Sequence, residues 1–186
     1  MKTKKINGDN YEILFSEEMI AEKIKELAAM IKGDYATAEK PPILLIVLTG
    51  GMVFGVDLIK ELDRIGLVHH VDTVGLKRYG KDEHGGAVKI LSEPHADLTS
   101  RDVIVVEDVI DHGITMNFLD DYLKNSNPPA SITYCALGLK RNHAPLQFEI
   151  KYLGFNDLSP AWIVGYGLDS EQAFRGLQDI WIKIDP

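Results

Sequence analysis

The run Val103-Ile104-Val105-Val106 constrains this chain more than any other stretch. Consecutive β-branched apolar residues leave no polar face for water, so they read as a strand buried on both faces, as in a parallel sheet covered by helices. The run breaks at the adjacent carboxylates Glu107 and Asp108, resumes at Val109 and Ile110, and then meets Asp111, His112, Gly113 and Thr115. Met116, Leu119, Tyr122 and Leu123 recur afterwards at helical spacing. The reading is strand, polar loop, helix. In an open α/β sheet, ligands bind beyond the carboxyl ends of the strands. A helix N-terminus there offers free N–H groups and a positive dipole end, which suit a phosphate. Gly113 lets backbone approach a ligand closely, and Thr115 adds a hydroxyl. Glu107 and Asp108 point opposite ways along a strand and so can do different work. An acidic loop in any doubly wound protein would share part of this pattern.

A second strand-to-loop unit precedes it. Pro41 to Leu48 contains the longest apolar run, Ile43-Leu44-Leu45-Ile46-Val47-Leu48, and stops at Thr49-Gly50-Gly51 before a helix marked by Leu58, Ile59 and Leu62. A strand running into paired glycines and a helix is another candidate anion loop, although most such turns are only turns. Ahead of it, Ser16 can cap a helix with Glu17 and Glu18 in the first turn, an apolar face of Ile20, Ile24, Leu27, Ala28 and Ile31, and an end at Gly33-Asp34.

Val71 to Tyr79 is the next expected strand, followed by the polar, glycine-rich stretch Gly80 to Gly86 and a returning strand Ala87 to Leu91. The stretch is either a solvated hairpin loop or a lid that closes over a reacting centre. Asn125 to Pro129 breaks the chain again. Ser131 to Leu139 reads as a buried strand ending at Lys140-Arg141. Asn142 to Leu158 is less regular, with a short strand expected around Phe148 to Tyr152. Trp162 to Asp169 has the aromatic and β-branched character of a core strand but carries two glycines, and Ile180-Trp181-Ile182 closes the chain.

The 186 residues suit one domain spanning 1–186. A net charge of −8 argues against nucleic-acid binding through a basic face. No apolar run approaches the roughly 20 residues of a membrane span. The Lys-rich beginning has no apolar segment after it to make a secretion signal, and Cys135 is the sole cysteine, so the expected compartment is the cytoplasm. The six histidines show no zinc-ligand spacing.

Four stretches, around Thr49-Gly50-Gly51, Lys77-Arg78-Tyr79, Glu107 to Thr115 and Trp162 to Arg175, together resemble the hypoxanthine-guanine phosphoribosyltransferases among the type I phosphoribosyltransferases. The resemblance implies a mainly parallel central sheet flanked by helices, with a small cap built from terminal segments. It implies transfer of the 5-phosphoribosyl group of PRPP to N9 of hypoxanthine or guanine, giving IMP or GMP and pyrophosphate, with Mg²⁺. By that resemblance Asp111 is the general acid/base at purine N7. Glu107 and Asp108 meet the ribose diol, and the backbone of His112, Gly113, Ile114 and Thr115 cradles the 5′-phosphate. Thr49, Gly50, Gly51 and Arg175 meet pyrophosphate. Lys140 reads the 6-oxo group, Trp162 stacks on the base, and Ile163 lends backbone contacts. Asp169, with Glu107 and Asp108, is implied as the metal site. The lid reading of Gly80 to Gly86, a cis Leu48–Thr49 peptide, and a homodimer or homotetramer are implied as well.

Three positions depart from the family pattern. Thr49 and Ile114 stand where many members carry lysine, which removes positive charge from phosphate sites. His112 replaces a usual threonine, at a position that contributes mainly its backbone. Two other readings share the fold: a xanthine-preferring enzyme, and a non-catalytic sensor of PRPP or nucleotide that regulates transcription. The acidic charge and the lack of a DNA-binding extension count against the sensor.

Overall fold

The computed structural model describes residues 3–82, 85–126, 128–142 and 144–184. The expected apolar runs become the centre of a six-stranded sheet. β3 (Ile43–Leu48) lies between β4 (His70–Asp82) and β6 (Asp102–Ile110), and β7 (Ser131–Lys140) and β8 (Tyr152–Leu158) follow on the β6 side. These five pair in parallel, while β5 (Gly85–Ser92) returns antiparallel on β4 at the other edge.

Both faces of the central strands are covered. Leu44, Ile46, Ile104 and Val106 face α1 (Glu17–Tyr35) and α2 (Met52–Arg64); Ile43, Leu45, Val103 and Val105 face α3 (Ile114–Ser126). Burial on both sides is why these strands lack polar alternation. Ser16 caps α1 by accepting from the Met19 N–H, and the helix runs past Gly33 to Tyr35.

The terminal segments do form a cap. β1 (Thr3–Ile6), β2 (Asp9–Phe15), β10 (Ile180–Lys183) and β9 (Ile163–Val164) make an antiparallel sheet in that order, over a small core of Ile6, Tyr11, Val164 and Trp181. Asn7 and Gly8, both at positive φ, turn the first hairpin, a dipeptide that favours such turns.

Two expected elements need correcting. The strand after β7 starts at Tyr152 rather than ending there; Phe148 lies in the preceding loop and stacks on Tyr134 with ring centroids 3.6 Å apart. The Trp162–Asp169 strand is only Ile163–Val164, because Gly165, Tyr166 and Gly167 all take positive φ and turn the chain out of the sheet. Of the expected lid, Gly80 to Gly86, residues 80–82 end β4 and residues 85–86 begin β5, while residues 83–84 lie outside the described residues.

Candidate active site

Parallel pairing brings the carboxyl ends of β4, β3, β6 and β7 to one edge. The crossover through α2 runs from β3 towards β4, and that through α3 runs from β6 towards β7, so the chain diverges between β3 and β6. A crevice is expected at this switch point. A cleft of about 490 Å³ lies there, bordered by Arg78 from β4, Gly50 after β3, Glu107 to Met116, and Trp162, Asp169 and Arg175 from the cap side. A smaller hollow of about 140 Å³ adjoins it, lined by Val109, Asp111, Lys140, Trp162, Ile163, Leu168 and Asp169.

β6 supplies the carboxylates. Asp108 is buried and Glu107 half-buried. Burial, and then the charge of Asp108, push the Glu107 carboxyl well above the ordinary carboxylate range. Burial also raises Asp108, against the opposing pull of the Glu107 side chain, the Val109 N–H and Arg175. The Asp108 N–H donates to Glu107 Oε1 at 3.0 Å and the Val109 N–H to Asp108 Oδ1 at 2.6 Å. The remaining Asp108 oxygen points at the loop after β3: a Cβ built on Gly50 would sit 2.4 Å from Asp108 Oδ2. A Cβ on Gly167 would in turn meet the Gly50 carbonyl at 2.4 Å. The loop after β3 is therefore wedged between the Asp108 carboxylate on one side and the backbone of the cap segment on the other.

The register between β6 and β7 pairs Ile110 with Leu139, so Asp111 and Lys140 emerge side by side. Lys140 Nζ donates to Asp111 Oδ2 at 3.0 Å, with Lys140 itself buried. Trp162 is 54% exposed at the rim of the hollow, where a planar ligand could reach its face, and not in the core as its neighbours suggested. Beyond Asp111, α3 starts at Ile114 rather than at Met116; Asn117 N–H donates to the Gly113 carbonyl, which leaves the preceding first-turn N–H groups for other partners.

The loop after β3 only partly matches its expected role. The Leu48–Thr49 peptide is cis. Gly50 borders the cleft, but Thr49 is exposed outside it, and Gly51 is packed behind it against the carbonyls of Val47 and Val106. Asp169 and Arg175 are brought together and paired with each other: Arg175 Nη2 lies 2.7 Å from Asp169 Oδ1, and Nη1 donates to the Gly167 carbonyl at 2.7 Å. Among the described residues, no three of His, Cys, Asp and Glu gather into a metal cage. Cys135 is buried, and burial pushes its thiol up, so it is no nucleophile.

Sequence reading missed Arg78 as part of the cleft; it lies on β4 just past the last pairing with β3, Leu48 with Gly75, and so at the carboxyl edge of the sheet. A second depression of about 450 Å³ lies between α1 and α2, and Arg175 alone of the expected site residues borders it. No helix among the described residues is long and apolar enough to cross a membrane.

The family profile described as phosphoribosyl transferase domain matches residues 10–171. Hypoxanthine-guanine phosphoribosyltransferase of Aquifex aeolicus is 31% identical over 183 residues, 98% of this chain and 99% of the relative. That of Streptococcus thermophilus is 36% identical over 174 residues, 92% of each. Among solved structures, Trypanosoma cruzi hypoxanthine phosphoribosyl transferase superposes with a TM-score of 0.83 at 30% identity, covering 93% of this chain and 91% of that one. A Bacillus anthracis hypoxanthine-guanine phosphoribosyltransferase does so with 0.81 at 32%, covering 99% and 100%. The chain belongs to the phosphoribosyltransferase family, among its hypoxanthine-guanine phosphoribosyltransferases.

Proposed function

We propose that this enzyme transfers the 5-phosphoribosyl group of PRPP to N9 of a 6-oxopurine, hypoxanthine or guanine, releasing IMP or GMP and pyrophosphate in purine salvage. The observation that carries this reading is the Lys140–Asp111 pair at 3.0 Å in the hollow beneath Trp162. A 6-oxopurine with a proton on N7 presents an acceptor and a donor on one edge. An ammonium beside a carboxylate complements that edge, with Lys140 at O6 and Asp111 at N7. Trp162 stacks on the ring and Ile163 adds backbone contacts.

The adjoining cleft takes PRPP. Glu107 and Asp108 meet the ribose diol, and the loop and first helical turn from His112 through Gly113 and Ile114 to Thr115 hold the 5′-phosphate. The pyrophosphate lies towards Gly50 and Arg175, with Thr49 and Gly51 shaping that loop. As the C1′–O bond to pyrophosphate breaks with its electron pair, N9 supplies the pair that bonds C1′, and the N7 proton passes to the Asp111 carboxylate. The carboxylates around the sugar offset the positive charge that develops at C1′.

Mg²⁺ fits the donors present. It keeps waters and substrate phosphates and needs only one or two carboxylates, and Asp169, with the Glu107–Asp108 pair, offers them. Bound there with PRPP, it would neutralise the leaving pyrophosphate. Arg175 is held by Asp169, and release of that pair would free the guanidinium for a phosphate. We read residues 1–186 as one phosphoribosyltransferase domain, working in the cytoplasm as a homodimer or homotetramer. Light scattering on the purified protein checks the oligomeric state. Neither the xanthine-preferring nor the sensor reading is favoured by the relatives.

Base choice is the test. Adenine's amino group would face the Lys140 ammonium and leave buried donors unpaired, a mismatch that supports discrimination of roughly 10⁴–10⁵. Hypoxanthine and guanine are expected to form nucleotide with PRPP and Mg²⁺, and adenine is not. Adenine turnover comparable to that of hypoxanthine would show that Lys140 does not read position 6.

A further inference from the structure

The two oxygens of Asp111 are not equivalent. Oδ2 accepts from Lys140. Oδ1 is buried and has no hydrogen-bond partner, one of two such side-chain atoms among the described residues. A buried carboxylate oxygen without a donor is costly and calls for a cause. His112 Nδ1 lies 3.3 Å from that oxygen, within reach but out of line for a hydrogen bond. The imidazole is not there by slack in the loop. The His112 carbonyl accepts from the Ala144 N–H at 2.9 Å, and Leu146 fills the place where a Cβ on Gly113, at φ +76°, would sit. The loop after β7 thus fixes the backbone on both sides of the ring's attachment. The His112 side chain is 20% exposed and borders the cleft.

From this geometry we infer that His112 is a positioning residue for Asp111: its Nδ1–H turns onto Oδ1 and, with Lys140 on Oδ2, fixes the plane of the carboxylate that meets the purine. A neutral imidazole carries its proton on whichever nitrogen has an acceptor to meet. Oδ1 supplies one for Nδ1. The role rests on the reading of Asp111 as the base at N7. It differs from a cradle role, because the 5′-phosphate needs only the backbone at this position.

The closing experiment combines kinetics with nitrogen NMR on the intact enzyme. His112→Asn places an amide nitrogen near the position of Nδ1, whereas His112→Leu keeps bulk without a donor. Partners that orient a functional group typically contribute about 10–100-fold to activity. His112→Leu should lower kcat by about that factor while the Kd for Mg²⁺-PRPP moves by less than about threefold, and His112→Asn should recover most of the loss. In ¹⁵N-histidine spectra of the ligand-free protein above pH 8, the signal lost in His112→Asn should be an Nδ1–H tautomer, and it should revert to Nε2–H in Asp111→Asn. Wild-type kcat in His112→Leu, equal losses in the two variants, a loss confined to PRPP affinity, or an Nε2–H tautomer in the unsubstituted protein would each overturn the role of His112. No turnover by the unsubstituted enzyme with any 6-oxopurine would instead defeat the reading of the reaction, and this role with it.

Discussion

The loops after β3 and β6 leave neighbouring parallel strands side by side, and they are built on opposite terms. The loop after β3 is a packing device. Gly50 is pressed against Asp108 on one side and Gly167 on the other, Gly51 against two carbonyls, and its one polar side chain, Thr49, is exposed and does not border the cleft. The loop after β6 is a chemical device. It brings a carboxylate, an imidazole and a hydroxyl to the cleft within a few residues and leads straight into a helix. The first is limited by added atoms at both of its glycines, whereas the second, besides its own packed Gly113, sets which functional groups border the cleft. Paired glycines in a sequence and a string of polar residues in the next loop record two kinds of constraint on one pocket.

Exchanging a functional group without changing shape should separate them most widely. Asp111→Asn is nearly isosteric, and a positioned acid/base group is worth roughly 10²–10⁴-fold. Its kcat should fall by about that range with Mg²⁺-PRPP binding and melting temperature almost unchanged. Wild-type kcat in steady-state assays would remove Asp111 from the mechanism. Gly50→Ala is the converse. Overpacking of this kind typically costs about 1–3 kcal/mol, or roughly 3–10 °C in a chain of this size. Because the displaced atom is Asp108 Oδ2, the KM for PRPP should rise with the loss of stability. Thermal melts and PRPP titrations check both, and an unaltered melt would mean the loop can yield.

The carboxylate pair between the two loops gives a smaller, pH-dependent effect. Glu107 is raised in the folded state, so it contributes its stability below the unfolded carboxylate range of about 4.3, and loses it as pH rises through the raised value. Glu107→Gln removes the charge, so the ligand-free variant should melt higher than the parent at pH 8, on the order of 2–4 °C, and the gap should close towards pH 5. A gap that widens on acidification would reverse the sign of this account. The smallest effect tests missing charge. Ile114→Lys, at the first helical residue and bordering the cleft, should tighten PRPP by up to about fivefold. Thr49→Lys should give less, since that side chain starts outside the cleft. Equal gains in calorimetric titrations would show that the loop after β3 can turn its side chain inward.

Legibility in the sequence followed burial. β3 and β6 are covered on both faces and stood out as unbroken apolar runs. β8 did not, because it is an edge strand in which Gly154 is pressed against the Leu137 carbonyl and Asn156 and Asp157 are exposed. Trp162 looked like core because of its β-branched neighbours. The positive-φ run that ends its strand, and so leaves it exposed, is set by contacts with Gly50 and Asp179 far away in sequence. Residue types named Asp111 and Lys140 as candidates, but their 3.0 Å contact joins two strands and depends on register. His112 was read for its backbone alone. Only coordinates place its ring beside Asp111.

The pairing of Arg175 with Asp169 bears on how an acidic protein of net charge −8 accepts a polyanion. With the guanidinium already neutralised by the carboxylate, the proposed loading of the cleft would be an ion exchange: Asp169 would trade a guanidinium for a metal, and the guanidinium a carboxylate for a phosphate. Charges are balanced before and after. Added salt screens both sides of that exchange, so affinity for Mg²⁺-PRPP should depend only gently on ionic strength. Asp169→Asn would leave the guanidinium without its internal counter-ion and make metal-free pyrophosphate binding both tighter and steeply salt-dependent.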